Sequence, residues 1–305
     1  MGRYLLARLA QSALVVACVL VLVFFMVRLT GDPAVVMLPQ EATPADVKAF
    51  REAMGFDRPL AVQFWEFLRR AAVGDFGKSL HYRISAWTLI TERLPATLEL
   101  AAAALAFAVA VAVPLGLLAA TRPGSTWDRL GQTVALLGQA LPAYWFGLLL
   151  IIVLAVQWNL LPVAGRSGWD SLVMPMVTLS LGILARLTQL TRSVMLDVLR
   201  QDYVRTAWSK GLGSAAVHYR HALKNAAIPL ITLVGINFGY LLGGSVLIET
   251  VFSWPGVGRL AAQAIFQRDF PLVQAVAFFA SLVVVLVNLV TDLAYGLVNP
   301  QVRVR

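Results

Sequence analysis

The chain has 305 residues, 59% of them hydrophobic and 13% charged, with a mean hydropathy of +0.75. That is too apolar for an ordinary soluble domain and predicts an integral membrane protein. The net charge of +9 is no argument for a nucleic-acid partner, because helical membrane proteins gather Lys and Arg in their cytoplasmic loops. Cys18, the only cysteine, lies in an apolar run, which excludes an internal disulfide and leaves it as a small buried hydrophobe.

Gaps between charged side chains predict the spans in chain order, each needing roughly 17 to 25 mostly apolar residues. The first, Leu9 to Val27, follows Arg3 and Arg8. It is longer than a signal-peptide core, and the following "RLTGDPAVV" offers no small-residue cleavage site, so it is expected to stay in place. Residues 1–30 therefore hold the N-terminus and first transmembrane helix. Residues 31–95 form a long hydrophilic segment outside, in which "TPADVKAFREAMGF" predicts a helix with Thr43 as N-cap, Pro44 at the first position and Gly55 as the stop. Residues 96–305 carry five more spans. Four are Leu100 to Thr121, the long gap Leu130 to Gly165, Asn225 to Ile248, and Phe270 to Thr291. Ser171 to Ala185 is short, and spans only if its helix continues to about Arg192 with Arg186 snorkelling to the interface.

Charge placement fixes the predicted orientation. With six spans and both termini cytoplasmic, the inner segments hold Arg3, Arg8, Arg122, Arg129, Arg186, Arg192, Arg200, Arg205, Lys210, Arg220, Lys224, Arg303 and Arg305, against Arg166, Arg259 and Arg268 in the two short outer loops. Without the fourth span, the residues from Arg186 to Lys224 would move outside and reverse this bias. No internal repeat or low-complexity linker interrupts the chain, so a single membrane domain is expected.

Several motifs are set aside on chemical grounds. "GDFGKSL", residues 74–80, has the Gly-Lys-Ser of a phosphate loop, but Ala72 stands where that loop needs glycine, and the segment is expected outside. It reads as a turn. His218 and His221 share a helix with no third ligand in view, so no metal site is expected. Glu99, Glu249 and Asp292 all fall near span ends, which argues against an ion-coupled carrier. No catalytic or cofactor-binding residues are predicted.

Two features of the fifth span stand out. Gly235, Gly239 and Gly243 recur every four residues, a smooth stripe for close helix approach, either within the chain or against a second subunit. The following loop "ETVFSWPGVGRL" is read as an outer turn at Pro255-Gly256, with Phe252 and Trp254 as interfacial aromatics.

Before that span lies a basic, soluble-looking segment, "DYVRTAWSKGLG", within a cytoplasmic loop at 197–226. Val204, Ala207, Trp208, Gly211 and Leu212 recur at helical spacing as an apolar stripe, with Arg205, Ser209 and Lys210 off it. Gly211-Leu212-Gly213 breaks this short helix, and Ser214 is placed to cap a second one running toward Asn225. The product is an elbow tied at both ends to spans. Its apolar face suits either a lipid surface or the groove of a cytoplasmic partner.

"DYVRTAWSKGLG" with "HALKNAAIPLIT" closely resembles the coupling loop of permease subunits in the dipeptide, oligopeptide and nickel branch of ABC importers. The likeness continues through "TGDPA", "GFDRPLAVQFWEFL", "GDFGKSL", "RLPATLEL", "IETVFSWPGVGRL", "RDFPLVQAV" and "NLVTDLAYGLVNP". The resemblance implies an all-α type I importer permease in the bacterial inner membrane, taking up peptides or metal chelates. It also implies a second homologous permease, two ATPase subunits, expected as a heterodimer, that bind ATP and Mg, and an external solute-binding protein. The elbow then becomes the coupling helix, with Val204, Arg205, Ala207, Trp208, Lys210, Gly211 and Leu212 toward the ATPase. The loop around Phe252, Trp254, Pro255 and Gly256, with residues 31–95, would face the binding protein. Trp208 stands where the family pattern leads one to expect Arg, and Asn299-Pro300-Gln301 replaces Asp-Pro-Arg.

Overall fold

The structure is a computed structural model and describes residues 2–29, 32–38 and 42–298. It is all-α apart from one isolated bridge between Lys78 and Ser85 among the described residues. In chain order the helices are α1 (Gly2–Leu29), α2 (Pro33–Met37), α3 (Pro44–Met54), α4 (Leu60–Ala72), α5 (Ala86–Thr121), α6 (Thr126–Ala140) and α7 (Ala143–Leu150). There follow α8 (Trp169–Leu199), α9 (Asp202–Ser209), α10 (Leu223–Gly244), α11 (Val246–Val251), α12 (Val257–Phe266) and α13 (Phe270–Val298). Two π-helical stretches, Ile151–Gln157 and Ala216–Ala222, extend α7 and lead into α10.

Four helical segments are long and apolar enough to cross a bilayer: Ala86–Thr121, Trp169–Leu199, Ala216–Gly239 and Phe270–Val287. The apolar part of α1, Ala10–Met26, lies at the short end of the spanning range. The long third gap does not hold one straight helix. It breaks at Leu141-Pro142 into α6 and α7, bent by 105°. Proline lacks the N–H that would continue the ladder, and it pushes the preceding residue into extended backbone, as seen at Leu141 (φ −85, ψ 129). The fourth span runs well past Arg192, to Leu199. The fifth starts earlier than predicted, because the helix resuming at Ser214 passes through the π turn into α10 without a break.

By internal packing the chain divides into two interleaved units. Unit one is Met1–Thr97 with Pro255–Leu286. Its core gathers Leu20 from α1, Ala71 from α4, Ile90 from α5, Leu260 from α12 and Leu272 from α13. An aromatic ladder runs through it, from Phe24, 1% exposed, by way of Phe64, Phe67 and Phe76 to Phe278, with ring centroids 5.0 to 6.2 Å apart. Such contacts add to the transfer free energy of the rings. Most of the hydrophilic 31–95 segment is thereby anchored, whereas α3 buries none of its residues. That helix stands on local chemistry. Thr43 accepts the Asp46 amide while Asp46 accepts that of Thr43, and Gly55 closes the helix at φ 70, a left-handed conformation suited to glycine.

The "GDFGKSL" loop is tied to the start of α13. Buried Asp269 accepts hydrogen bonds from the Ser79 hydroxyl, the His81 amide at 3.3 Å and the Leu272 amide at 3.3 Å. Its charge sits at a helix N-terminus, where the dipole favours it. The serine of the apparent phosphate loop is thus part of a folded turn. Likewise Thr97, from "RLPATLEL", accepts the Val257 amide at 2.8 Å, which starts α12 just after Pro255-Gly256.

Unit two is Leu98–Trp254 with Val287–Arg305. Here α6 lies against α8 so closely that a Cβ on Gly138 would come 2.7 Å from the Ala185 Cβ and 2.9 Å from the Leu181 carbonyl. Ala101, Ala108 and Ala112 on α5, Ile183 and Leu187 on α8, and Leu230 and Leu241 on α10 form its largest apolar cluster.

Candidate functional site

The elbow is built by the chain leaving α8 at Leu199, turning at Arg200 and entering α9 through Gln201, whose backbone is extended (φ −73, ψ 149). The exit from α9 is a Schellman motif. The Gly211 amide bonds the Trp208 carbonyl at 2.9 Å, the Leu212 amide bonds the Ala207 carbonyl at 3.4 Å, and Gly211 takes φ 75. Glycine adopts that left-handed backbone without the Cβ clash of other residues.

The structure divides the predicted apolar stripe. Val204 and Ala207 are buried, 1% and 5% exposed, against fully buried Val217, with Val198, Leu199 and Leu212 closing the cluster. Three of the five stripe residues are therefore covered by the chain itself, and Val204 and Ala207 are corrected from partner-facing to core. The reason is the continuous helix from Ser214: it folds back over α9 and supplies the apolar cover. Trp208 stays 44% exposed, its ring edge-on to His218 at 5.9 Å. Arg205, Lys210 and Gly211 are also exposed, as are Tyr203 and Tyr219. Arg205 lies 3.7 Å from Asp202 with both side chains in solvent, a pair that adds little stability.

The last turns of α8, leading into the elbow, are clamped to α6. Arg192 bonds Asp128 through Nε at 2.6 Å and Nη2 at 3.1 Å, and Asp128 also accepts from Gln132 at 2.9 Å and the Gly124 amide at 2.9 Å. Asp128 is only 4% exposed, so this forked pair is shielded from solvent on the acid side. Sequence reasoning passed over Asp128. Its local signal is Ser125, which accepts the Asp128 amide as an N-cap, but the partner lies 64 residues away.

At the other end of unit two, the aromatic residues expected on an outer face are inside. Phe252 is 1% and Trp254 0% exposed. Phe252 packs with Ala155, Met174 and Ile248, and its carbonyl accepts the Gly165 amide at 2.9 Å. The chain reverses at Ser253 (φ 50), and the Trp254 amide returns to the Glu249 carbonyl at 2.8 Å. The Arg166 guanidinium lies 6.0 Å above the Trp254 ring and bonds Glu99 at 2.6 Å. These two aromatics hold loop 158–168 in place and offer no surface to a partner. In unit one, Pro255 is half-buried and Gly256 buried. Buried Glu249 accepts from the Ser245 hydroxyl at 2.7 Å, and Asp292 has a side chain outside the described ones.

Of the glycine stripe, Gly239 packs within the chain: a Cβ there would come 2.3 Å from Val287 Cγ1. Gly235 is half-buried on the same helix, and the surroundings of Gly243 lie outside the described ones. Residues 299–301, where the motif departs from the expected one, also lie outside the described residues.

Residues 112–304 match the family described as binding-protein-dependent transport system inner membrane component, and residues 1–101 match its N-terminal family. The chain belongs to that family. The permease is 40% identical to a probable peptide ABC transporter permease protein, y4tP, of Sinorhizobium fredii, over 99% of this chain and 100% of that one. It is 38% identical to the glutathione transport system permease protein GsiC of Escherichia coli K12 and of Salmonella typhimurium, over 99% of each chain. Among solved structures, inward-facing forms of the MetNI methionine ABC transporter superpose with TM-scores of 0.56 and 0.57 at 17% identity. The first covers 70% of this chain and 97% of that one, which supports the type I importer permease fold. The permease is a multi-pass protein of the inner membrane and a transport subunit of an ABC importer.

Proposed function

We propose that the permease moves peptides, or solutes built like them such as glutathione or metal chelates, across the inner membrane as one half of a permease pair. The two relatives whose names specify a peptide and glutathione match it over 99% or more of their length, which supports that substrate class. In this reading the chain crosses the membrane six times with both termini cytoplasmic. Two ATPase subunits bind ATP and Mg below it, and an extracytoplasmic protein delivers the solute above it. A metal chelate would, in this reading, be a transported solute like the peptides.

The observation that carries the reading is the elbow. It is a self-packed turn, continuous on one side with the clamped helix α8 and on the other with α10, and it presents Trp208, Tyr203 and Lys210 outward. A rigid body joined to two spans acts as a lever: closure of ATPases gripping it would shift α8 and α10 together, and α6 with them through Asp128–Arg192. The test is ATP-driven uptake of trialanine by the reconstituted complex. Trp208→Ala is expected to cut uptake at least tenfold while the permease remains folded. Unchanged uptake would contradict the coupling role.

A further inference from the structure

On α8 the exposed residues between Ile183 and Met195 are Arg186, Gln189 and Ser193, all polar and all on one face. The remainder of that stretch is buried or half-buried. Beside this face, between α6 and α8, runs a cleft of about 530 Å³ whose lining includes Gln132, Gln139, Gln189, Arg192 and Ser193 together with the exposed, apolar Leu136. Gln139 bridges it, its amide 3.2 Å from the Gln189 oxygen. One turn further along the face from Gln189 is Arg186, whose only hydrogen bond among the described residues runs from Nε to the Gly182 carbonyl of its own helix at 3.2 Å. Arg186 lies about 20 Å along the helix from its end at Leu199, further than an arginine side chain reaches. It thus sits near the middle of the 31-residue helix, because α8 continues well beyond the Arg192 end on which the snorkelling expectation rested.

Exposed amides and a guanidinium on a helix apolar enough to span do not face hydrocarbon. They face either water or a polar partner. We infer that the Arg186, Gln189 and Ser193 face of α8, with Gln132 and Gln139 of α6, lines the water-filled path of the solute, and that Arg186 attracts its carboxylate. The carboxamides match the amide groups of a peptide backbone, and the guanidinium supplies a charge complementary to a free C-terminus. This rests on the importer reading and names the contact surface within it.

The test uses the full complex in proteoliposomes with Cys18→Ser as background and single cysteines at Gln189→Cys, Ser193→Cys and, as an apolar exposed control on α10, Ile231→Cys. Membrane-impermeant anionic and cationic methanethiosulfonates serve as probes. Gln189→Cys and Ser193→Cys are expected to react at least tenfold faster than Ile231→Cys, and their modification to block trialanine uptake. At Gln189→Cys the anionic reagent is expected to be preferred, and Arg186→Gln to reduce that preference roughly fivefold while Arg186→Lys retains it. Labelling no faster than the control, cross-linking of Ser193→Cys to the second permease in place of labelling, or a reagent preference indifferent to Arg186 would overturn the inference. Trialanine uptake by the unlabelled complex reads the importer assignment separately, because the labelling rates do not depend on what is transported.

Discussion

Ala207 and Trp208 are neighbours in sequence with opposite environments, and variants should separate them. Ala207→Arg places a charge in the Val204–Val217 cluster and is expected to destabilise the elbow by about 2 kcal/mol or more, read as a lower thermal midpoint. Trp208→Ala removes a half-exposed ring and should cost less than about 1 kcal/mol, yet release the ATPase subunits on purification. Gly211→Ala forces a Cβ onto a left-handed residue and is expected to cost about 1 kcal/mol, although the space around it is open. Equal loss of stability in Ala207→Arg and Trp208→Ala would contradict this division. Helical periodicity made the apolar face of α9 legible, but periodicity says only that a face is covered. That its cover is Val217 and Leu199 of the same chain depends on the fold-back after Gly213.

Between elements, the α6–α8 contact is the joint most open to test. Arg192→Gln leaves the buried Asp128 carboxylate without its charge partner and is expected to cost about 3 kcal/mol, with part restored by adding Asp128→Asn. A thermal double-mutant cycle measures the coupling, and additive effects would show that the pair does not hold the helices. Elsewhere in unit two, Gly239→Leu should destabilise more than Gly239→Ala, and Val287→Ala should relieve either variant; no relief would show that the α10–α13 contact does not set the packing there. Elements specified by neighbouring residues were readable in the sequence: Thr43, Pro44 and Gly55 bound α3 where predicted. The bend at Pro142 was also written locally, but counting apolar residues between charges ignores a breaker inside the gap. Contacts that join distant segments, Ser79 with Asp269 or Asp128 with Arg192, leave no local trace of their partner. Phe252 and Trp254 were misplaced for a related reason: aromatics near a predicted interface read as surface, and the reversal at Ser253 turns them inward.

At the scale of the molecule, several of the segments that carry the resemblance to importer permeases meet one another within unit one. "GDFGKSL" joins "RDFPLVQAV" through Ser79 and Asp269, and "RLPATLEL" joins "PGVG" through Thr97 and Val257. Their motifs are explained by holding the outer segment to α12 and α13. That arrangement leaves α3 uncovered: it buries no residue of its own, and under the proposed function it is a surface open to a binding protein. Deleting residues 41–58 is therefore expected to lower binding-protein-dependent uptake without impairing insertion, and normal uptake by the inserted variant would contradict that role. Cross-linking shows whether the elbow docks on an ATPase subunit. With Cys18→Ser and a single Ser209→Cys beside the intact Trp208 in the assembled complex, a short bis-maleimide is expected to join the permease to an ATPase subunit bearing an accessible cysteine, with a yield that changes on adding ATP. A Ser209→Cys that reacts only with lipid-soluble probes and never joins an ATPase would place this face of the elbow in the membrane interface and contradict the coupling role.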